Sequence, residues 1–232
     1  YEIRNCDWSS DVCSSDLTAY LTRTRMTFSD VVFDADGSLV VVGTDTDVVN
    51  GSRPDPTVIR FNPAGMSIFS NVYPSTLVTA NTLCKSGGYG LTLTSTRDIV
   101  FNGPNDMTVG AQNLETVRLT PAGAPMWNSM LGQAGPGYRS IHMDPAGNIA
   151  QSGWVGAYPT ASRGMLSLLD LATGNPIMQH AYDYLIKAEG NKPCAATTGY
   201  ALAGTVTVAA GLGGSDVELI HADAAEIGRA HV

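Results

Sequence analysis

The sequence predicts an all-β fold built from repeated sheets of four antiparallel strands, and three observations predict it. Glycine (25 residues) and proline (12) are frequent while charged residues make up only 15% of the chain, a composition that suits short strands and tight turns better than helices. An alternating apolar strand followed by a Pro/Ala/Gly-type turn returns four times: TVIRFNPAGMSIF from Thr57, TVRLTPAGAPMW from Thr116, LSLLDLATGNPIM from Leu166 and DVELIHADAA from Asp216. A second element stands before each of these, and the pair together gives a unit of about 50 residues.

In the first, turn-bearing element, Gly65, Gly123 and Gly174 lie 58 and 51 residues apart, and four residues beyond each comes a large apolar side chain, Phe69, Trp127 and Met178. The preceding element reads as a strand, a turn and a second strand that closes on glycine. Its copies are DVVFDADGSLVVVG closing on Gly43, DIVFNGPNDMTVG closing on Gly110 and SIHMDPAGNIAQSG closing on Gly153. In the fourth copy GYALAG supplies the second strand and closes on Gly204, with no legible turn. Asp36-Gly37 and Gly147-Asn148 supply positions that accept positive φ, which a tight reversal needs. Val40 to Val42 form a continuous apolar run, as expected of a strand covered on both faces. Asp34 and Asp36 are too few oxygen donors for a calcium loop, so DADGS is read as a turn. Hairpin, loop, strand, turn, strand makes four strands per unit, four times over. This is the pattern of β-propeller blades, here an incomplete, open set. TDTDVVNGSRPDP, AQNLE, WVGAYPTASRG and TVTVAAGLGGS are read as the variable loops.

The repeats resemble known bacterial propeller repeats. GYALAGTVTVAAGLGGSDVELIHADAA is similar to secreted bacterial repeats with a Gly-Tyr start and a Gly-Gly-x-Asp strand, and TVRLTPAGAPMW to pyrroloquinoline-quinone-type repeats. The resemblance implies a propeller and an extracytoplasmic setting (periplasmic, cell-surface or secreted). It implies no particular activity.

The two ends read differently. Residues 226–232 (EIGRAHV) resemble the translation of a short-read sequencing adapter, and residues 1–17 (YEIRNCDWSSDVCSSDL) resemble the translated reverse complement of its longer form. Both are therefore set aside as non-native scars, leaving residues 18–225 as a repeat fragment. Cys6, Cys13 and His231 leave the argument with them, and the fourth turn is interrupted where its glycine is expected. Cys84 and Cys194 remain, and whether they pair stays open. The formal charge of −8 disfavours a nucleic-acid partner, and no apolar run reaches the length of a membrane span.

Candidate chemistry is sparse. No two of His142, His180 and His221 have metal-ligand spacing, and no nucleophile elbow, P-loop or zinc-protease motif occurs. No cofactor, metal or catalytic residue is assigned. Gly132 to Gly137 is read as a connection between units, since Pro136 removes a donor that a phosphate cradle needs. His221 is placed with Phe61 and Leu119, His142 with Val32 or Val100, and Asp98 with Asp30. Arg60 and Arg118 share one place, which favours a structural role. Trp154, Tyr158 and Arg163 break the repeat. They read either as a loop that packs its own aromatics on the blade edge or, since an aromatic pair beside an arginine is suited to it, as a place for a sugar or an anion. Two functions follow: a non-catalytic module that binds a ligand or protein through its loops, or a fragment of a quinoprotein dehydrogenase or glycan-active propeller enzyme whose site lies mainly in other blades.

Overall fold

A computed structural model describes residues 26–45, 55–73, 90–108, 111–131, 137–155, 163–182, 189–196, 199–207 and 215–223. All elements among them are strands, and no helix is long and apolar enough to cross a membrane. The first sheet contains β1 (Met26–Phe33), β2 (Leu39–Asp45), β3 (Asp55–Phe61) and β4 (Ser67–Val72). The second contains β5 (Gly90–Leu93), β6 (Ile99–Thr108), β7 (Ala111–Leu119) and β8 (Pro125–Leu131). The third contains β9 (Gly137–Met143), β10 (Ile149–Val155), β11 (Arg163–Leu169) and β12 (Pro176–Tyr182). The fourth has three described strands, β13 (Glu189–Ala196), β14 (Gly199–Thr207) and β15 (Ser215–Asp223). Within every sheet the strands run in chain order and pair antiparallel. The leading strands β1, β5, β9 and β13 approach one another in sequence, so they surround an axis from which each sheet runs outward. These are propeller blades, and the ring is not closed.

Each sheet has a forward face toward its successor and a back face toward its predecessor. Forward-facing Val40, Val42 and Val58 pack on Leu91, Ile99, Phe101, Val117 and Leu119 of the second sheet. Val100, Leu114 and Leu131 pack in the same way on Ile141, Ile149, Met165 and Leu169 of the third. Ala150, Leu166 and Leu168 meet Tyr200 of the fourth. The Val40–Val42 run is buried throughout, as its composition predicts. At about 1.5–3 kcal/mol per fully buried aliphatic side chain, these layers outweigh any exposed ion pair, worth about 0–1 kcal/mol. Apolar burial drives the stacking; polar contacts fix its register.

The leading hairpins share one turn. Asp34 N–H donates to Ser38 O (2.8 Å) and Gly37 N–H to Asp34 O (2.9 Å), and Asp144, Gly147 and Asn148 repeat the pattern. Gly37 and Gly147 have φ of 84° and 86°, as the sequence reading requires. In the second sheet the same turn is Thr94 to Asp98, with Arg97 N–H donating to Thr94 O and Arg97 at φ 67°.

This corrects the second copy. Its reversal is not NGPND, which lies inside β6 with Pro104 opposite Leu114. Gly110 lies outside the described residues, and Gly103, opposite Glu115, takes the place of Gly43, Gly153 and Gly204. Asp98 stands in the place of Ser38 and Asn148, not of Asp30. His142, opposite Ala150, matches Val32 opposite Val40, but not Val100. His221, opposite Ala201, holds the place of Arg60 and Arg118 rather than of Phe61 and Leu119. AQNLE is strand, Ala111 to Glu115 of β7, and the other three segments read as loops are strand at their margins. The link from Gly132 to Gly137 does join two sheets, between β8 and β9.

Candidate functional site

Six charged side chains of the first two sheets, Asp34, Asp36, Arg60, Arg97, Asp98 and Arg118, lie at the turns where one sheet meets the next. Arg60 on β3 is buried against the apolar junction, so its guanidinium needs partners. Its Nη2 donates to Asp34 Oδ2 in its own sheet and its Nη1 to Pro121 O of the next sheet (3.1 Å). Arg118 does the same one unit on. Its Nε and Nη2 donate to Asp98 Oδ2 (3.2 and 2.5 Å), and its Nη1 to Leu171 O (2.7 Å). The carboxylate has moved from the first place of the turn to the fifth, yet it serves the same arginine.

Arg97 crosses the junction in the other direction. Its Nε donates to Asp34 Oδ2 (2.7 Å) and its Nη2 to Asp36. The ion pairs hold the arginine proton more tightly than usual. Asp36 sits at about pKa 2, lowered first by the Ser38 N–H and further by Arg97. Asp34 therefore serves two guanidinium groups, which leaves it a bridge between sheets rather than a calcium ligand or a free base. In the third sheet Leu168 stands where Arg60 does, and Asp144 instead accepts Tyr200 Oη of the fourth sheet (2.5 Å). Burial and this carboxylate push the Tyr200 hydroxyl well above the usual tyrosine range.

A parallel set of contacts joins the outer turns. Gly123 and Gly174 have φ of 81° and 72°, and a Cβ there would lie 2.9 Å from the Phe69 ring and 2.7 Å from the Trp127 ring respectively. The repeated large side chain thus lies on the turn glycine of the following sheet, leaving no room for a methyl group. Tyr73 Oη donates to Gly123 O (2.8 Å) and Trp127 Nε1 to Leu171 O (3.0 Å). Gly65 shares the conformation, at φ 82°.

Between the second and third sheets, Asn102 Nδ2 and Thr116 Oγ1 both donate to Gln151 Oε1 (2.9 and 3.0 Å). Gly90 is confined there, because a Cβ would stand 2.8 Å from Asn102 Oδ1. Sequence reasoning missed this buried cluster, since each member replaces an apolar residue of the first sheet's pattern.

The residues singled out for binding are placed only in part. Trp154 is in β10 opposite Gly164, and Arg163 opens β11 opposite Val155, so both belong to strand ends rather than to a loop. Tyr158 and Cys84 lie outside the described residues. Cys194 is on β13 opposite Ala201. Among the described residues no cluster of three or more metal-binding side chains occurs.

No family model and no curated protein matches the sequence. Among solved structures, a protein of unknown function from Dyadobacter fermentans is similar at TM-score 0.50 and 12% identity, over 84% of this chain and 65% of that one. A GH43 endo-arabinanase from Bacillus licheniformis (TM-score 0.47, 11% identity, 88% and 75% covered) is another. So is a GH43 α-L-arabinofuranosidase from Clostridium thermocellum (0.47, 13%, 86% and 69%). The chain thus spans just under two thirds of the Dyadobacter protein's length. Such identities concern fold alone.

Proposed function

We propose that this chain is a non-catalytic repeat module of an extracytoplasmic propeller, which binds a carbohydrate or anionic ligand through its connections. The observation that carries this reading is the shared use of Arg60 and Arg118: two charges in one repeated place, each spent on tying its sheet to the next. A catalytic group is a singleton held ready for substrate, and the charged cluster at the turns has no such member. The ligand is best sought at the β10–β11 connection, flanked by Trp154 and Arg163 with Tyr158 between them.

The test is electrophoresis through gels containing soluble neutral or acidic polysaccharides, with reducing-end release assayed on the same samples. Retardation of the wild type, weakened in Trp154→Ala and Arg163→Ala, with no new reducing ends, is the expected result. Release of reducing ends would transfer the chain to the alternative, a fragment of a propeller enzyme. Unchanged mobility in every gel would contradict the carbohydrate reading.

Residues 1–17 and 226–232 are read as translated adapter. In support, Asp223 ends β15 in the place of Asn62, Thr120 and Asp170, which stand three, three and four residues before Gly65, Gly123 and Gly174, and those counts fall on Glu226 and Ile227, neither of them glycine. Sequencing the source DNA outward from the Phe28 and Asp216 codons should find glycine after Ala225. A genomic Glu226 would refute this.

A further inference from the structure

Four facing ladder places recur where one sheet meets the next, and only the junction of the second and third sheets fills all four with polar side chains. Between the first and second sheets these places hold Val42 and Val58 on the forward face and Phe101 and Val117 on the back face, all in one buried apolar cluster. Between the third and fourth they hold Ser152, Leu166, Leu202 and Ile220. Between the second and third they hold Asn102, Thr116, Gln151 and Ser167, each fully buried. Gln151 Oε1 already accepts from Asn102 Nδ2 and Thr116 Oγ1 (2.9 and 3.0 Å). Gln151 Nε2, Asn102 Oδ1 and Ser167 Oγ have no hydrogen-bond partner among the described residues. Ser167 stands opposite Gln151 in the β10–β11 ladder, so the three unpaired atoms gather around one side chain. Turning both amides over does not pair them, because Gln151 Oε1 and Asn102 Nδ2 are then left over instead.

We infer that this junction binds one buried water molecule, held by Gln151, Asn102 and Ser167. The water accepts from Gln151 Nε2, donates to Asn102 Oδ1 and makes its third bond with Ser167 Oγ, which is the usual number for a buried water. Space for it comes from the back face, where Gln151 and Ser167 are smaller than the Phe101 and Val117 that close the first junction. Gly90, opposite Asn102, keeps that side clear as well, since a Cβ there would lie 2.8 Å from Asn102 Oδ1. Buried polar atoms left unpaired are more costly than apolar ones of the same shape, so the water is what makes a polar quartet tolerable here. It also makes the two sheets specific for each other, because an apolar face such as that of Phe101 and Val117 would leave Asn102 and Thr116 without partners.

Nuclear Overhauser transfer from solvent to the side-chain amide protons of isotope-labelled protein tests this. The Gln151 amide protons should show the transfer of a long-lived bound water. The signal should persist in Ser167→Ala, which keeps the space and removes the serine hydroxyl as a source of exchanging protons. It should be lost in Ser167→Val, whose branched side chain fills the space as Val117 does in the first junction. A crystal structure of the wild type, which depends on no variant folding, should show one ordered oxygen within hydrogen-bond distance of Gln151 Nε2, Asn102 Oδ1 and Ser167 Oγ. No transfer at Gln151 in the wild type, a transfer abolished by Ser167→Ala, a transfer unaffected by Ser167→Val, or no electron density between the three atoms would each overturn the proposal.

Discussion

At the scale of single residues, the glycines of the repeat do two separable jobs. Gly147 needs only its backbone conformation: φ is 86° and a Cβ there would meet nothing within 4 Å. Gly174 needs both conformation and space, because Trp127 lies over it. Gly147→Ala should therefore cost about 1–2 kcal/mol, the price of a left-handed backbone with a side chain. Gly174→Ala should cost about 1–3 kcal/mol more, from overpacking against the indole. Urea unfolding of the two variants compares them, and equal losses would mean that the indole does not lie on the turn. The sequence made these glycines visible through spacing alone. It hid Arg97, which occupies the left-handed position of Gly37 and Gly147 without being glycine. Nothing local marks such a residue; its ion pairs with Asp34 and Asp36 come from the neighbouring sheet.

At the scale of elements, turn composition misleads where strand length and register decide. Asn102-Gly103-Pro104-Asn105 has the residues of a reversal, yet β6 runs through it because β7 offers a continuous partner from Ile99 onward. Threonine hydroxyls and a carboxylate close the real turn, with Thr96 Oγ1 donating to Asp98 Oδ2 and Asp98 N–H to Thr94 Oγ1. Thr, Ser and Asp support turns more weakly than Asn-Gly announces them. The first turn yields a pH prediction. Asp36 titrates near 2 when folded and near 3.9 when unfolded, so its ionised form favours the folded state. That contribution is complete above the unfolded value and is lost as pH falls through about 2. The difference in urea midpoint between wild type and Asp36→Asn should be level above about pH 5 and shrink between about pH 4 and 2. A difference that does not change with pH would show that Asp36 makes no such bond.

At the scale of the whole molecule, the four-unit repeat and its all-β class were legible because each unit writes the same strand-turn-strand text. The relation between units was legible only as recurrence: Phe69 and Trp127 recur four residues beyond Gly65 and Gly123, but what they touch lies a full unit ahead. The candidate ligand residues Trp154, Tyr158 and Arg163 stood out by breaking the recurrence. The Asn102–Gln151–Thr116 cluster did not, because a polar residue in one strand looks unremarkable until the facing sheet is known. The account rests on one claim, that each sheet is held by contacts from the next. The most direct measurement is a double-mutant cycle between Asp144 in the third sheet and Tyr200 in the fourth, using Asp144→Asn and Tyr200→Phe in equilibrium urea unfolding. A hydroxyl donating to a charged acceptor at 2.5 Å predicts a coupling of about 1.5–3 kcal/mol. Losses that add to within about 0.5 kcal/mol would contradict the claim that the fourth sheet holds the turn of the third.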